Sequence, residues 1–337
     1  MAVAEERTPQ AGELEVHLPD MRGYSGLIDA IGTDCGALSA QAETYCSNAD
    51  FGKILEDLTA DYAALLPVLH DLLADQETLM KDYAVAIDQL VVDYETTDDG
   101  VARDFGGDGI TGGSGTNSAK FAQVSPVDYL ATPYPSESDL PEVSFGFVFD
   151  KLAWALEKFC NWDVRAQVTD WIAGDVVDVS TQAKCWEIIG ERIGDTRDNL
   201  GEGQSLIFQT WSGQAANSHA ASMYGWDTAL DDQATEFPQL GDYLRQVAEE
   251  AVNVAQLVVD CIRLAIDLIL GAWSLMYVPI VGQARFIKKA WDAYKQASRA
   301  TAYLRMLWSF LRTVKDYFVV LFDKLNPAIL PPAPLAV

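Results

Sequence analysis

Residues 207–223 read IFQTWSGQAANSHAASM, with Trp211 and Gly213 two apart between two runs that both carry helical spacing. Gly213 can take backbone angles that reverse the chain at low steric cost, and Trp211 offers a large apolar surface to cover the exposed end of a helix pair. Upstream, Trp186, Ile189, Ile193, Leu200 and Phe208 fall on or near one face of a long helix. Downstream, Met223, Trp226, Leu230, Ala234, Phe237, Leu240, Leu244, Val247, Ala251, Val254, Val258, Cys261 and Ala265 succeed one another by three or four residues. That is a heptad-like stripe about six repeats long. Pro238 interrupts it and is expected to kink or restart the helix. The stretch therefore reads as the turn of a helical hairpin.

The same periodicity governs the rest of the chain. Leu27, Ile28, Ile31, Leu38 and Ala42 recur at helical spacing. After a short break, CSNADFGKI, a second stripe runs from Ile54 through Leu58, Tyr62, Leu65, Leu69, Leu72, Leu73, Leu79, Tyr83, Ile87, Leu90 and Val91 to Tyr94. Pro67 is positioned to bend it. These segments define an acidic helical hairpin over 23–98, after an amino-terminal tail at 1–22. Residues 99–144, rich in Gly, Ser, Thr, Asp and Pro, read as a linker or a lightly pinned loop. A helical module follows over 145–325, opening with the aromatic-rich FGFVFDKLAWALEKFCNW and a turn closed by Gly174. Its last part carries Phe286, Trp291, Tyr294, Tyr303, Trp308, Leu311, Tyr317 and Val320 on one or two basic helices, before a Pro-rich tail at 326–337. No segment sustains strand alternation, so the fold class is all-α.

Charge is distributed unevenly in this 337-residue, 49% apolar chain of net charge −27. Residues 1–150 hold 6 Lys/Arg against 28 Asp/Glu, whereas 251–337 hold 10 against 5. The acidic front repels phosphate backbones and excludes nucleic acid as a partner; the basic end suits an anionic lipid surface or the chain's own acidic half. Five cysteines form no CxxC pair, and Cys160 with Cys185 is the pairing to test. The three histidines lie in no HExxH, GxSxG or Ser-His-Asp setting, and the glycines of GGDGITGGSG match no phosphate-binding loop. Enzymatic activity is therefore not expected, nor a cofactor or metal site. The first residues show no Sec-type signal peptide. Leu264–Gly282 has about the length of a membrane span, but Asp267 and Pro279 favour a helix buried between helices, with conditional insertion as the alternative.

TWSGQAANSHAASM resembles the W-x-G turn and small-residue second-helix opening of the WxG helical-hairpin substrates of actinobacterial type VII secretion. The resemblance covers about 146–265, where the turn agrees with its lead-in and both flanking helices. Residues 24–98 look like related hairpins that lack the tryptophan, with Phe51 and Gly52 at the corresponding turn. Such substrates also carry a Y-x-x-x-[D/E] signal after a second helix, here YETTD, Tyr94 to Asp98, which places ring and carboxylate on one helix face. The resemblance implies two hairpins docked as a four-helix bundle with additional carboxyl-terminal helices, both halves fused in one chain. It also implies an export-recognition surface of Tyr94, Asp98, Trp211 and Gly213, read by the secretion machinery (an ATPase or chaperone), with another helical-hairpin protein as a further candidate partner. The expected destination is secreted or envelope-associated, after cytoplasmic folding. Trp211 acting as a cap on the core is compatible with that role. Two alternatives stay open: a membrane-active or channel-forming effector using the apolar 257–282 segment, and a cytosolic scaffold or chaperone-like partner.

Overall fold

The computed structural model describes residues 16–47, 51, 56–104, 115–125, 176–275 and 281–332. Among them are five helices, α1 (Leu18–Tyr45), α2 (Glu56–Asp104), α3 (Val176–Ile207), α4 (Gln214–Leu275) and α5 (Val281–Lys324), plus a short 3-10 turn at Pro327–Ile329. No strand is present among the described residues beyond an isolated Val16–Trp211 bridge, and the fold is all-α. Helix α1 starts at Leu18, five residues ahead of the sequence boundary at 23, because Pro19 sits in its first turn, where no backbone donor is needed. Helix α2 continues to Asp104, past the expected end at 98. The expected helix after residue 145 and the turn at Gly174 lie outside the described residues.

The two hairpins, α1/α2 and α3/α4, pack into an antiparallel four-helix bundle. Their apolar stripes meet: Leu27, Ile28, Ile31, Leu38 and Ala42 of α1 are buried with Tyr62, Leu65, Leu69, Leu72, Leu73 and Tyr83 of α2 and Trp186, Ile189, Trp226, Leu230 and Phe237 of the second pair. Each buried Leu, Ile or Phe among them contributes about 1.5–3 kcal/mol of burial. A buried amide pair crosses between α2 and α4, where Gln76 Nε2 donates to Gln233 Oε1. A buried polar contact in an apolar seam favours one register of the two helices. At the far end of the bundle, Trp186 Nε1 donates to Tyr62 Oη at 3.1 Å, and Tyr62 donates to Gln182 Oε1 at 3.0 Å. Here Cys46, just past α1, is bridged to Cys185 of α3 with Cα atoms 6.2 Å apart. This corrects the Cys160–Cys185 expectation: Cys46 lies beyond the end of its helix, free to face α3, and Cys160 is outside the described residues.

Pro238 neither ends nor restarts α4, which runs unbroken from Gln214 to Leu275. Its ring is housed by a glycine on the facing helix, since a Cβ at Gly190 would stand 2.4 Å from Pro238 Cδ. Gly190→Ala is accordingly expected to destabilise the bundle by about 1–3 kcal/mol. Gly194, one turn on, faces open space with Ala234 Cβ 4.0 Å away. There the alanine substitution is expected to be neutral or stabilising by about 0.5–1 kcal/mol. Paired urea melts of the two variants check the contrast, and equal effects would deny the fitted contact.

Helix α5 lies against α2 and α4 through Leu307, Leu311, Val314, Phe318, Leu321 and Leu325, alternately four and three residues apart and all buried. Of the positions read from sequence, Leu311 is buried and Tyr317 half-buried, Trp291, Trp308 and Val320 are exposed, and the side chains of Phe286, Tyr294 and Tyr303 lie outside the described residues. Lys315 pairs with Asp61 at 3.0 Å, and Tyr317 donates to Glu236 Oε2 at 2.6 Å. Beyond α5, the tail is not a loose end: Leu330 is buried, Pro331 lies over Gly225, and Tyr83 Oη donates to the Pro332 carbonyl at 3.1 Å. Of the apolar 257–282 segment, 257–275 belong to α4 and Val281 opens α5, while 276–280 lie outside the described residues. No helix is long and apolar enough to cross a membrane among the described residues.

Candidate functional site

The turn at 208–213 closes the end of the bundle opposite the disulfide. Gly213 holds φ at 111°, a left-handed conformation that side-chain-bearing residues rarely adopt, and its carbonyl accepts from Asn217 N at 3.1 Å to start α4. Trp211 is turned inward and only 2% exposed. It stacks on Phe208, with ring centres 6.4 Å apart, and lies 5.3 Å from the ring of His219. Its indole Nε1 is buried without a hydrogen-bond partner. The backbone of Val16 bridges Trp211, and His17 N donates to the Thr210 carbonyl at 3.1 Å. The start of α1 is thus tied directly to the turn.

Asp20, in the first turn of α1, organises the surroundings. It accepts from Thr210 Oγ1 at 2.8 Å, from Asn117 Nδ2 at 2.9 Å and from Lys120, and His17 Nδ1 lies 2.9 Å away. Burial alone would raise its pKa, but these hydrogen bonds outweigh it and hold the carboxyl well below the usual carboxylate range. One side chain therefore clamps the α1 start, the turn and residues 115–125. Within the 99–144 stretch, residues 115–125 are pinned to the bundle, for Asn117 N also donates to the Pro19 carbonyl and Asn199 accepts from Val124 N and Ser125 N. An open groove of about 330 Å³ runs between α1 and this segment, lined by Arg22, Gly26, Leu27, Thr116 and Phe121 among others.

The sequence-predicted residues come to the same end. Tyr94 is half-buried against the core near the carboxyl terminus of α2, and its neighbour Glu95 pairs with Arg22 on the second turn of α1. Since α1 begins at the WSG turn, Tyr94 and Trp211 share this end of the bundle. The side chain of Asp98 lies outside the described residues, while its backbone continues α2 toward the same end. Trp211 itself presents almost no surface, so whatever meets this end touches the turn backbone and its neighbours before the indole.

Sequence reasoning passed over His219. It sits under the turn, Nε2 2.9 Å from Tyr24 Oη, among the rings of Tyr24, Tyr83, Phe208 and Trp211. Nothing in the sequence marks it except its place two helical turns after Trp211. Asp20 had a visible signal, an acidic residue in a Pro-containing first turn. Burial lowers the His219 pKa to about 4. The folded state thus favours the neutral ring, while the unfolded chain takes up a proton near the ordinary histidine value of 6.5. Stability from this group is full above about pH 6.5 and is lost as pH falls toward 4, by about 3 kcal/mol in all. Asp20 acts in the same direction at still lower pH. Thermal melts are expected to fall between pH 7 and 4, and His219→Gln, which cannot titrate, is expected to flatten that part of the curve. An unchanged slope would remove His219 from the account.

No group of acidic, histidine or cysteine side chains able to hold a metal occurs among the described residues. Comparisons with protein-family models, with characterised proteins and with solved structures returned no match.

Proposed function

We propose that this chain is an export substrate of the type VII, WxG-hairpin kind, recognised at the bundle end where the WSG turn and the last turns of α2 converge. The observation that carries the reading is this convergence within one chain. The WSG turn closes the second hairpin, the YETTD segment lies in the last turns of α2 in the first, and the Arg22–Glu95 pair and the His17–Thr210 hydrogen bond tie both to the start of α1. The Cys46–Cys185 bridge supports it, because disulfides persist in oxidising compartments outside the cytosol. The partner fitting this surface is a component of the secretion machinery that grips a folded helical end, with Tyr94 and Asp98 as its handles.

The test compares culture filtrate with lysate for the wild type, Tyr94→Ala and Asp98→Ala. Tyr94 is only half-buried, so its truncation is expected to leave the circular dichroism spectrum intact while lowering export at least tenfold, the effect of losing about 1.4 kcal/mol of recognition. Undiminished export of both variants would reject the reading. Detection of the wild type only in lysate, while other substrates leave the cell, would favour a cytosolic scaffold.

A further inference from the structure

Helix α5 has a buried aliphatic face and an outer face of different chemistry. Residues 281–324 hold nine Lys/Arg against three Asp/Glu, in a chain whose net charge is −27. On the side away from the Leu307–Leu325 stripe stand Lys295, Arg305 and Arg312, all exposed. Interleaved with them are Trp291 at 58%, Met306 at 58% and Trp308 at 51% exposure. Lys295 Nζ lies 6.0 Å from the centre of the Trp291 ring, so cation and indole share one patch. Asp316 and Asp323 are exposed further along, beside Lys315, so the patch is the 291–312 stretch, where Lys295, Arg305 and Arg312 are exposed.

We infer that this outer face of α5 is a peripheral docking surface for anionic phospholipid. Charge complementarity selects an anionic occupant, since guanidinium and ammonium groups are displayed on a molecule that is otherwise strongly acidic. The two tryptophans and the methionine select among anions. The acidic face of a second copy would satisfy Arg305 and Arg312 but offer little to three large apolar side chains. A lipid interface supplies phosphate at headgroup depth and hydrocarbon just below it, the position indoles prefer. The buried stripe anchors α5 to the bundle, so the face can lie on the surface without the fold opening. The proposed attachment is peripheral, through side chains on one face of α5. The inference is independent of the export reading, and either can fail alone.

Flotation of the full, oxidised chain with phosphatidylcholine vesicles, with and without about 30% phosphatidylglycerol, tests it. The protein is expected to float with the anionic vesicles only and to be released by about 0.5 M salt. Arg305→Gln with Arg312→Gln is expected to weaken partition about 30-fold. Trp291→Ala with Trp308→Ala is expected to weaken it about tenfold at the same salt. All four positions are exposed, and unchanged circular dichroism verifies the fold. No flotation of the wild type, or wild-type partition by both double variants, overturns the inference. So does a finding that the arginine pair controls self-association in sedimentation while lipid binding is absent.

Discussion

Trp211→Ala is expected to lower the stability of the bundle by about 3–5 kcal/mol and to abolish export, and the two effects can be told apart. The indole is 2% exposed, packed between Phe208 and His219, and its removal leaves a cavity beneath the turn that the Val16 backbone cannot fill. Trp186 supplies the control. It is equally buried, against Phe237, but lies toward the disulfide end of the bundle, remote from Tyr94. Trp186→Ala is expected to cost a similar amount in urea denaturation, read from the midpoint at constant slope. If secretion falls to background for Trp211→Ala and persists for Trp186→Ala, the turn takes part in recognition. If both variants are lost from the filtrate in proportion to their destabilisation, Trp211 is a core cap and nothing more. Trp211→Phe, which restores most of the apolar volume, is expected to recover most of the stability.

Reduction of the Cys46–Cys185 bridge is expected to cost about 2–4 kcal/mol and to lower the melting temperature by roughly 5–15 °C. The two cysteines are 139 residues apart in sequence, and closing so long a loop removes much of the unfolded chain's freedom. The bridge also joins the first hairpin to the second at the end opposite the WSG turn, where otherwise only side-chain contacts hold α1 to α3. Calorimetry with and without reductant, beside the Cys46→Ser, Cys185→Ser double variant, measures the effect. Peptide mapping under non-reducing conditions is expected to recover residues 46 and 185 in one cross-linked species, and a 160–185 linkage would overturn the assignment. Cys35 is not expected to compete for pairing, because burial, with Asp34 and Glu77 nearby, pushes its thiol up to about 12.

What was legible beforehand is concentrated in periodicity. Helices α1 to α4, the inward stripes along them and the reversal at Trp211–Gly213 follow from apolar residues spaced by three or four and from a glycine at a turn. These are local properties that any surroundings would preserve. The all-α class and the hairpin in the second half were determined by the sequence in this sense. The same reasoning failed where a local rule met a specific neighbour. Pro238 is expected from sequence to kink or restart its helix; α4 does not restart there, and the proline ring sits against Gly190 on α3. Cys46 found Cys185 and not the expected Cys160 because chain ends that are distant in sequence meet across the bundle.

The end of the bundle shows the same division. Trp211, Gly213 and Tyr94 could be picked out along the chain, but their gathering at one end depends on α1 running antiparallel to both α2 and α3. His219 under the turn, the Asp20 clamp drawing in residues 115–125, and the inward aim of the indole are pairings between side chains about 100 to 200 positions apart, as in Tyr24 with His219 and Asp20 with Thr210. The outer face of α5 was decided in the same way, since only docking of the aliphatic stripe on α2 and α4 determined which of its aromatic residues face water. Spacing along a chain specifies which side of a helix is apolar; packing against a partner, with its volumes and unpaired donors, decides which groups end up adjacent.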